Sequence, residues 1–430
     1  MTISKQNVAL IYLLLLTASI YTPRYGVLDR MTVQYFSFSV LNIIAIIFIP
    51  LIFKKINYRK IFQNPLVICY IGVLIMGVLS MITSINLVES LVRFNQIVTF
   101  FLSLCIIIFF AYERVIKLKQ ILWIVLLTLI VDLAYSYYMF FEIIAQIDYG
   151  YEYNYLLVGV HGNRNIVSAA IAFRIPLIII LITRIKKKYL KSMLFLVVTL
   201  AFLDIYLLAS RAALLSVIIC TATIIIISLY TLYKRKYNFF NFNRPLIMFY
   251  LIPCIIAYML STMIIDSSNQ GDVSNRISSI TSLNDDSKNT RVRYYGHLLT
   301  HISKNPFLGG GIGTWKIYSM KYDRENIQNY IIPYNAHNDI LEVSAETGII
   351  GGIFFTSFFG FLFFYLFKNL QINHTDPSDY YFSVLMCLPF IIYFIDLNLN
   401  FPSSRPFNQY LLLLYIYIIV NSNLLIDEKN

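Results

Sequence analysis

Charge is the scarcest ingredient of this chain: Asp, Glu, Lys and Arg together supply 13% of its 430 residues. Soluble domains carry about a quarter, so a water-facing surface of ordinary extent is excluded. Cysteine is sparse too, and all five (Cys69, Cys105, Cys220, Cys254, Cys387) fall inside apolar runs, which excludes a disulfide framework and a zinc site. Heptads, a solenoid period and a soluble domain are all missing. Acid is scarcer than base, leaving a formal charge of +12. In a soluble protein that surplus would point to nucleic acid; here membrane topology accounts for it, and no nucleic-acid partner is expected.

What the chain has in abundance is apolar and aromatic surface, 58% and 16% of its residues. That composition describes an all-α, polytopic integral membrane protein embedded in a lipid bilayer. Runs long enough to cross a roughly 30 Å hydrocarbon core predict about twelve helices. Their spans are 7–23, 35–53, 65–84, 94–112, 120–144, 166–184, 190–209, 212–233, 245–265, 339–367, 380–397 and 408–426. The first run follows a short polar leader and lacks a small-residue cleavage site, so it reads as a retained helix.

Basic clusters occupy alternate loops: Lys54 to Lys60, Arg114 to Lys119, Arg184 to Lys191 and Lys234 to Arg244. The positive-inside rule places those loops and both termini in the cytoplasm. Residues 1–265 then hold helices one to nine, 266–338 form one large outer loop, and 339–430 hold helices ten to twelve. The outer loop opens on a turn-rich stretch, Asp266 to Thr290, that reads as mobile. It continues into Arg291 to Ser303, whose apolar spacing predicts an amphipathic helix resting on the membrane face. Asn305 and Pro306 end that helix, and GGGIGTW follows as a turn without the Lys-Ser/Thr of a phosphate loop.

The candidate residues gather on the outer side. His337 can accept a proton from a hydroxyl or serve as a structural hydrogen-bonder. Asn338, Glu342 and Glu346 recur every fourth residue on one helical face, where Glu342 and Glu346 orient the histidine, bind a sugar hydroxyl or pair with loop arginines. Arg211 stands at a tight turn, as a fork for phosphate or a snorkelling cap. Arg291 and Arg293 lie two apart and diverge on a helix, so one of them faces a site. Arg174 falls mid-membrane, as a substrate contact or an ion-pair partner of Asp132 or Asp204.

The order of motifs resembles the O-antigen ligase and O-antigen polymerase superfamily of bacterial envelope glycosyltransferases, roughly from Val158 to Phe407. The pieces are HGNRN from His161, SRAALLS from Ser210, TRVRYYGHLLTHISKNPFLGGGIGTW from Thr290, and AHNDILEVSAETGIIGG with its His-Asn, nine residues, Gly pattern at His337, Asn338 and Gly348. The resemblance implies a GT-C-like membrane enzyme of the bacterial inner membrane with a periplasmic site. The implied transfer is metal-independent and inverting, and needs no cofactor. The donor would be a glycan on undecaprenyl pyrophosphate, the acceptor lipid A-core for a ligase or another lipid-linked glycan for a polymerase, with the ligase preferred. His337, Arg211 and Arg291 map onto the family's catalytic positions; Asn165, Arg174, Arg293, Asn338, Glu342, Glu346 and Arg405 are the expected substrate contacts. A transporter of the lipid-linked glycan is the alternative of another class; it calls for repeated halves, which the sequence does not show.

Overall fold

The computed structural model describes residues 4–23, 26, 29–146, 156–159, 161–235, 244–264, 286–327, 334–371 and 377–421. The turn-rich stretch expected from Asp266 lies outside these as far as residue 285, as does the last expected span beyond residue 421. Among the described residues all regular structure is helical, and the chain is an all-α polytopic membrane protein. Among the described residues ten helices are long and apolar enough to cross a membrane, and Lys5–Ile20 and Pro406–Val420 are shorter apolar helices.

In chain order the helices are α1 (Lys5–Ile20), α2 (Arg30–Ile52), α3 (Tyr58–Phe62), α4 (Pro65–Ser80), α5 (Leu87–Glu113), α6 (Leu118–Gln146), α7 (Arg164–Arg184), α8 (Lys188–Leu208), α9 (Arg211–Arg235) and α10 (Arg244–Ile264). They continue as α11 (Asp286–Lys304), α12 (Trp315–Tyr322), α13 (Asp339–Gln371), α14 (Pro377–Leu399) and α15 (Pro406–Val420).

Two compact units form, and they do not follow chain order. The first takes Met1–Lys117, Asn284–Tyr365 and Leu397–Asn430; the second takes Leu118–Leu283 and Leu366–Asp396. In the first, α5 packs against α2, α4 and α15, and α1 against α2. Of the most apolar stretch of α2 only 28% is buried. In the second, α7 packs against α6, α8 and α9, and 94% of its most apolar stretch is buried. Its sequence is apolar on every side around Arg174, which suits the centre of a bundle.

The helix expected to rest on the membrane, α11, divides its apolar residues between two faces. Leu298 is fully buried in a cluster with Trp315, Ala336 and Ala345, joined by Tyr295 and Ile302. Val292 and Leu299 remain 61% and 57% exposed. The stripe at 295, 298 and 302 therefore packs on protein, because α12 and the start of α13 supply an apolar surface for it. α12 itself was not expected; Trp315, Tyr318 and Tyr322 sit three and four residues apart, which is its sequence signal.

Candidate active site

α13 begins at a side-chain cap: Asn338 Oδ1 accepts the Leu341 N–H at 3.0 Å. The acidic stripe therefore starts one residue later than its spacing suggested, with Asp339, Glu342 and Glu346 at i, i+3 and i+7 on one face. All three are buried, and each accepts a backbone N–H from a different segment. Asp339 Oδ2 takes that of Ser403 at 2.8 Å, Glu342 Oε2 that of Ala336 at 2.7 Å, and Glu346 Oε1 that of Trp315 at 3.1 Å. Buried carboxylates need such partners and a countercharge. The countercharge is Arg93, from within α5, whose positive charge acts on all three. The glutamates thus tie backbone together, and the arginine that balances them comes from a membrane helix rather than from a loop.

The same helix is interrupted at Gly348, where φ is 77° and ψ 171°, a conformation essentially confined to glycine. The break releases the carbonyls of Ala345 and Glu346 from their intrahelical partners. Gly310 N–H and Gly311 N–H occupy them at 2.9 and 3.0 Å, while Ile349 N–H turns to the Pro306 carbonyl at 2.8 Å. A Cβ at Gly348 would run into the Phe307 carbonyl. The glycine-rich turn is thus a docking piece for the broken helix. Its other side is held by Thr83, whose Oγ1 donates to the Gly309 carbonyl at 2.9 Å, and by Ser90, whose Oγ donates to that of Ile312 at 2.6 Å.

His337 precedes this assembly with φ 58°, in the left-handed region, which non-glycine residues enter mainly where surrounding contacts hold them. Glu342 holds the preceding Ala336 N–H, and the Tyr295 hydroxyl lies 3.0 Å from the His337 carbonyl and 2.8 Å from that of Asn398. The imidazole donates to the Leu399 backbone, and its buried Nδ1 has no hydrogen-bond partner. Burial, followed by the charge of Arg291, pushes the His337 pKa down to about 4. The ring is therefore neutral at pH 7, with Nδ1 as the acceptor.

Arg291 stands one turn before Tyr295 on α11, half-buried, and its charge reaches both Tyr295 and His337. Arg293 diverges, as its spacing required: Nε and Nη2 form a two-pronged pair with Asp323 at 2.7 and 3.2 Å. That pair fastens α11 to the end of α12. Arg405 joins the histidine through Phe401, over whose ring its guanidinium lies at 4.8 Å; that ring meets His337 edge-on at 5.3 Å.

In the second unit, Arg174 is fully buried and donates Nη2 to Asp132 Oδ2 at 2.6 Å. His161 Nε2 lies 3.4 Å from the other oxygen of Asp132. Asp204, the other partner considered for Arg174, accepts from Ser136 Oγ at 2.6 Å. The HGNRN motif thus contributes its histidine to this cluster. Asn165 is half-buried in the first turn of α7 and gives its N–H to the capping Asn163 at 2.9 Å. Arg211 opens α9, half-buried, two residues after Ala209, whose φ of 46° ends α8 and lets the chain reverse over Ala209 and Ser210. Sequence reasoning missed Arg93, Asp339 and Tyr295. A lone arginine six residues into an apolar helix was the available signal for the first.

Residues 195–356 match the family described as O-Antigen ligase (Wzy_C). The matched stretch runs from α8 past the break in α13 and contains Arg211, Arg291, His337 and Gly348. No curated protein matches the chain. The match supports the O-antigen ligase and polymerase superfamily and, with it, ligase- or polymerase-like activity on lipid-linked glycans in a membrane.

Proposed function

We propose that this chain, which carries an O-antigen ligase domain over residues 195–356, is a glycosyltransferase that moves a glycan from undecaprenyl pyrophosphate onto lipid A-core at the periplasmic face of the inner membrane. The observation that carries the reading is His337, a neutral imidazole with one nitrogen tied to backbone, Nδ1 without a partner, and the charge of Arg291 acting on it. Such a group takes the proton of an acceptor hydroxyl as the oxygen attacks the anomeric carbon. The new C–O bond forms as the bond to pyrophosphate breaks, and the electron pair leaves with the phosphate oxygen. The proton rests on Nδ1 until solvent removes it. Charge gathers on the departing pyrophosphate, which a fixed guanidinium stabilises best away from bulk water; Arg291 has that task, and the resemblance assigns the same task to Arg211. The resemblance also makes the transfer inverting and metal-independent.

A reconstituted assay tests this. His337→Ala and Arg211→Ala are each expected to abolish glycan transfer while leaving membrane insertion intact, and activity retained in both would sink the assignment. Supplying lipid A-core and lipid-linked repeats as separate acceptors distinguishes the ligase from the polymerase: transfer only to the second makes the chain a polymerase.

A further inference from the structure

The imidazole of His337 is held at both ends, and one hydroxyl reaches both holds. At the backbone end the residue sits at φ 58°, a conformation that persists only where surrounding contacts keep it. At the ring end an N–H donates to the Leu399 backbone. The Tyr295 hydroxyl lies 3.0 Å from the His337 carbonyl and 2.8 Å from that of Asn398, the residue before Leu399. A phenol carries one proton, so it donates to one carbonyl at a time while standing within reach of the other. Two further ties come from α13 itself: Glu342 Oε2 takes the Ala336 N–H at 2.7 Å, and Asn338 Oδ1 takes that of Leu341 at 3.0 Å. The Asn338 amide also meets the Tyr295 hydroxyl and lies 3.4 Å from Asn398 Oδ1. Tyr295 differs from these in coming from another helix, α11. It stands there one turn after Arg291, with its ring packed on the cluster of Leu298 and Trp315.

We propose that Tyr295 is a positioning residue for the transfer: its hydroxyl holds the His337 backbone together with the Asn398 and Leu399 backbone, and so aims Nδ1 at the acceptor hydroxyl. The inference rests on the transferase reading. Arg291 and Tyr295 share a face of α11, so the helix that carries a guanidinium for the pyrophosphate also sets the base. A base misplaced by about 1 Å costs on the order of 100-fold in rate. Without the tie the ring is also freer to leave the burial and the Arg291 charge that hold its pKa at about 4, and the pKa then rises toward the ordinary histidine value. The charged groups around the ring are Arg291 on α11, Arg405 beyond the Phe401 ring, and Glu342 on α13, whose carboxylate is turned to the Ala336 N–H. Tyr295→Phe removes none of them.

The test uses the full-length protein in lipid vesicles with lipid-linked donor and whichever acceptor, lipid A-core or lipid-linked repeat, the wild type uses. Tyr295→Phe takes away the hydroxyl and leaves the ring in its cluster. It is expected to lower kcat about 10- to 100-fold, with the KM for donor and for acceptor held within about twofold. The acid limb of kcat/KM should move up by about one pH unit from its wild-type position near pH 4. Para-aminophenylalanine at position 295 keeps the shape and offers an N–H to each carbonyl, so kcat should stay within about twofold and the limb in place. Either protein that folds carries the test. A merely structural hydroxyl would lower the unfolding midpoint or the amount of active protein and leave the limb of the remaining activity where it was; that result overturns the proposal. A rise in either KM overturns it by making the hydroxyl a substrate contact. A displaced limb in the para-aminophenylalanine protein overturns it as well, because a donor is then present and does not position the base. Failure of the transferase reading shows differently: the wild-type protein does not turn over, or His337→Ala does.

Discussion

A histidine with a pKa near 4 is a weak base, and the groups that depress it predict when it becomes a stronger one. Burial and Arg291 both disfavour the imidazolium. The neutral form, which accepts the proton, is present above about pH 4 and lost below it, so the acid limb of kcat/KM is expected near pH 4 rather than at the ordinary histidine value. Bound pyrophosphate offsets the charge of Arg291, so the limb in kcat should lie higher; coincident limbs would count against His337 as the base. Arg291→Gln should raise the limb of the residual kcat/KM. The same depressed pKa makes the unfolded chain bind more protons between about pH 6.5 and 4, so stability falls as pH drops through that window. Arg174 makes a separate prediction. Asp132→Asn removes the carboxylate that pairs with the buried Arg174 guanidinium and should cost about 3–5 kcal/mol in thermal unfolding. The double variant Asp132→Leu, Arg174→Met should recover most of that stability. If it also recovers transfer activity, Arg174 is an ion-pair partner; if it folds and is inactive, Arg174 is a substrate contact.

At the scale of elements, the broken helix and the glycine-rich turn are one device. Gly348 lies at φ 77° and ψ 171°, where any other residue is strained by about 1–3 kcal/mol, and its missing side chain makes room for the Phe307 carbonyl. Gly348→Ala should therefore lower the unfolding midpoint by several degrees and expose the turn between Asn305 and Thr314 to proteolysis. Gly360 lies in the same helix with nothing within 4 Å of where its Cβ would sit, and Gly360→Ala should leave both readouts unchanged. The spacing of His337, Asn338 and Gly348 was visible in the sequence as a motif. Its physical meaning was not, because the partners of the freed carbonyls, Gly310 and Gly311, lie more than thirty residues earlier. The division of α11 into two apolar faces was hidden for the same reason: a helical period shows which residues share a face, not what that face meets.

At the scale of the whole molecule, the alternating basic loops predict sidedness that accessibility can check. Lys187, in the exposed connection between α7 and α8, should be cytoplasmic, and Ser303, exposed near the end of α11, periplasmic. In a cysteine-free background, Ser303→Cys should react with a membrane-impermeant thiol reagent added outside intact spheroplasts, and Lys187→Cys only after lysis. The reverse pattern would invert the orientation. The five native cysteines are free thiols, so removing them breaks no covalent link.

Hydropathy and residue order, read along the chain, determined that this is a helical membrane protein and which motifs it carries. These properties are local or set by the bilayer, and neither requires knowing which distant segments meet. Only the tertiary structure decided the polar pairings: Asp132 rather than Asp204 for Arg174, Asp323 for Arg293, Arg93 opposite the acidic stripe, and backbone N–H groups for the stripe itself. A buried charge takes whichever partner the fold brings within a few ångströms, and segments far apart in sequence set that distance.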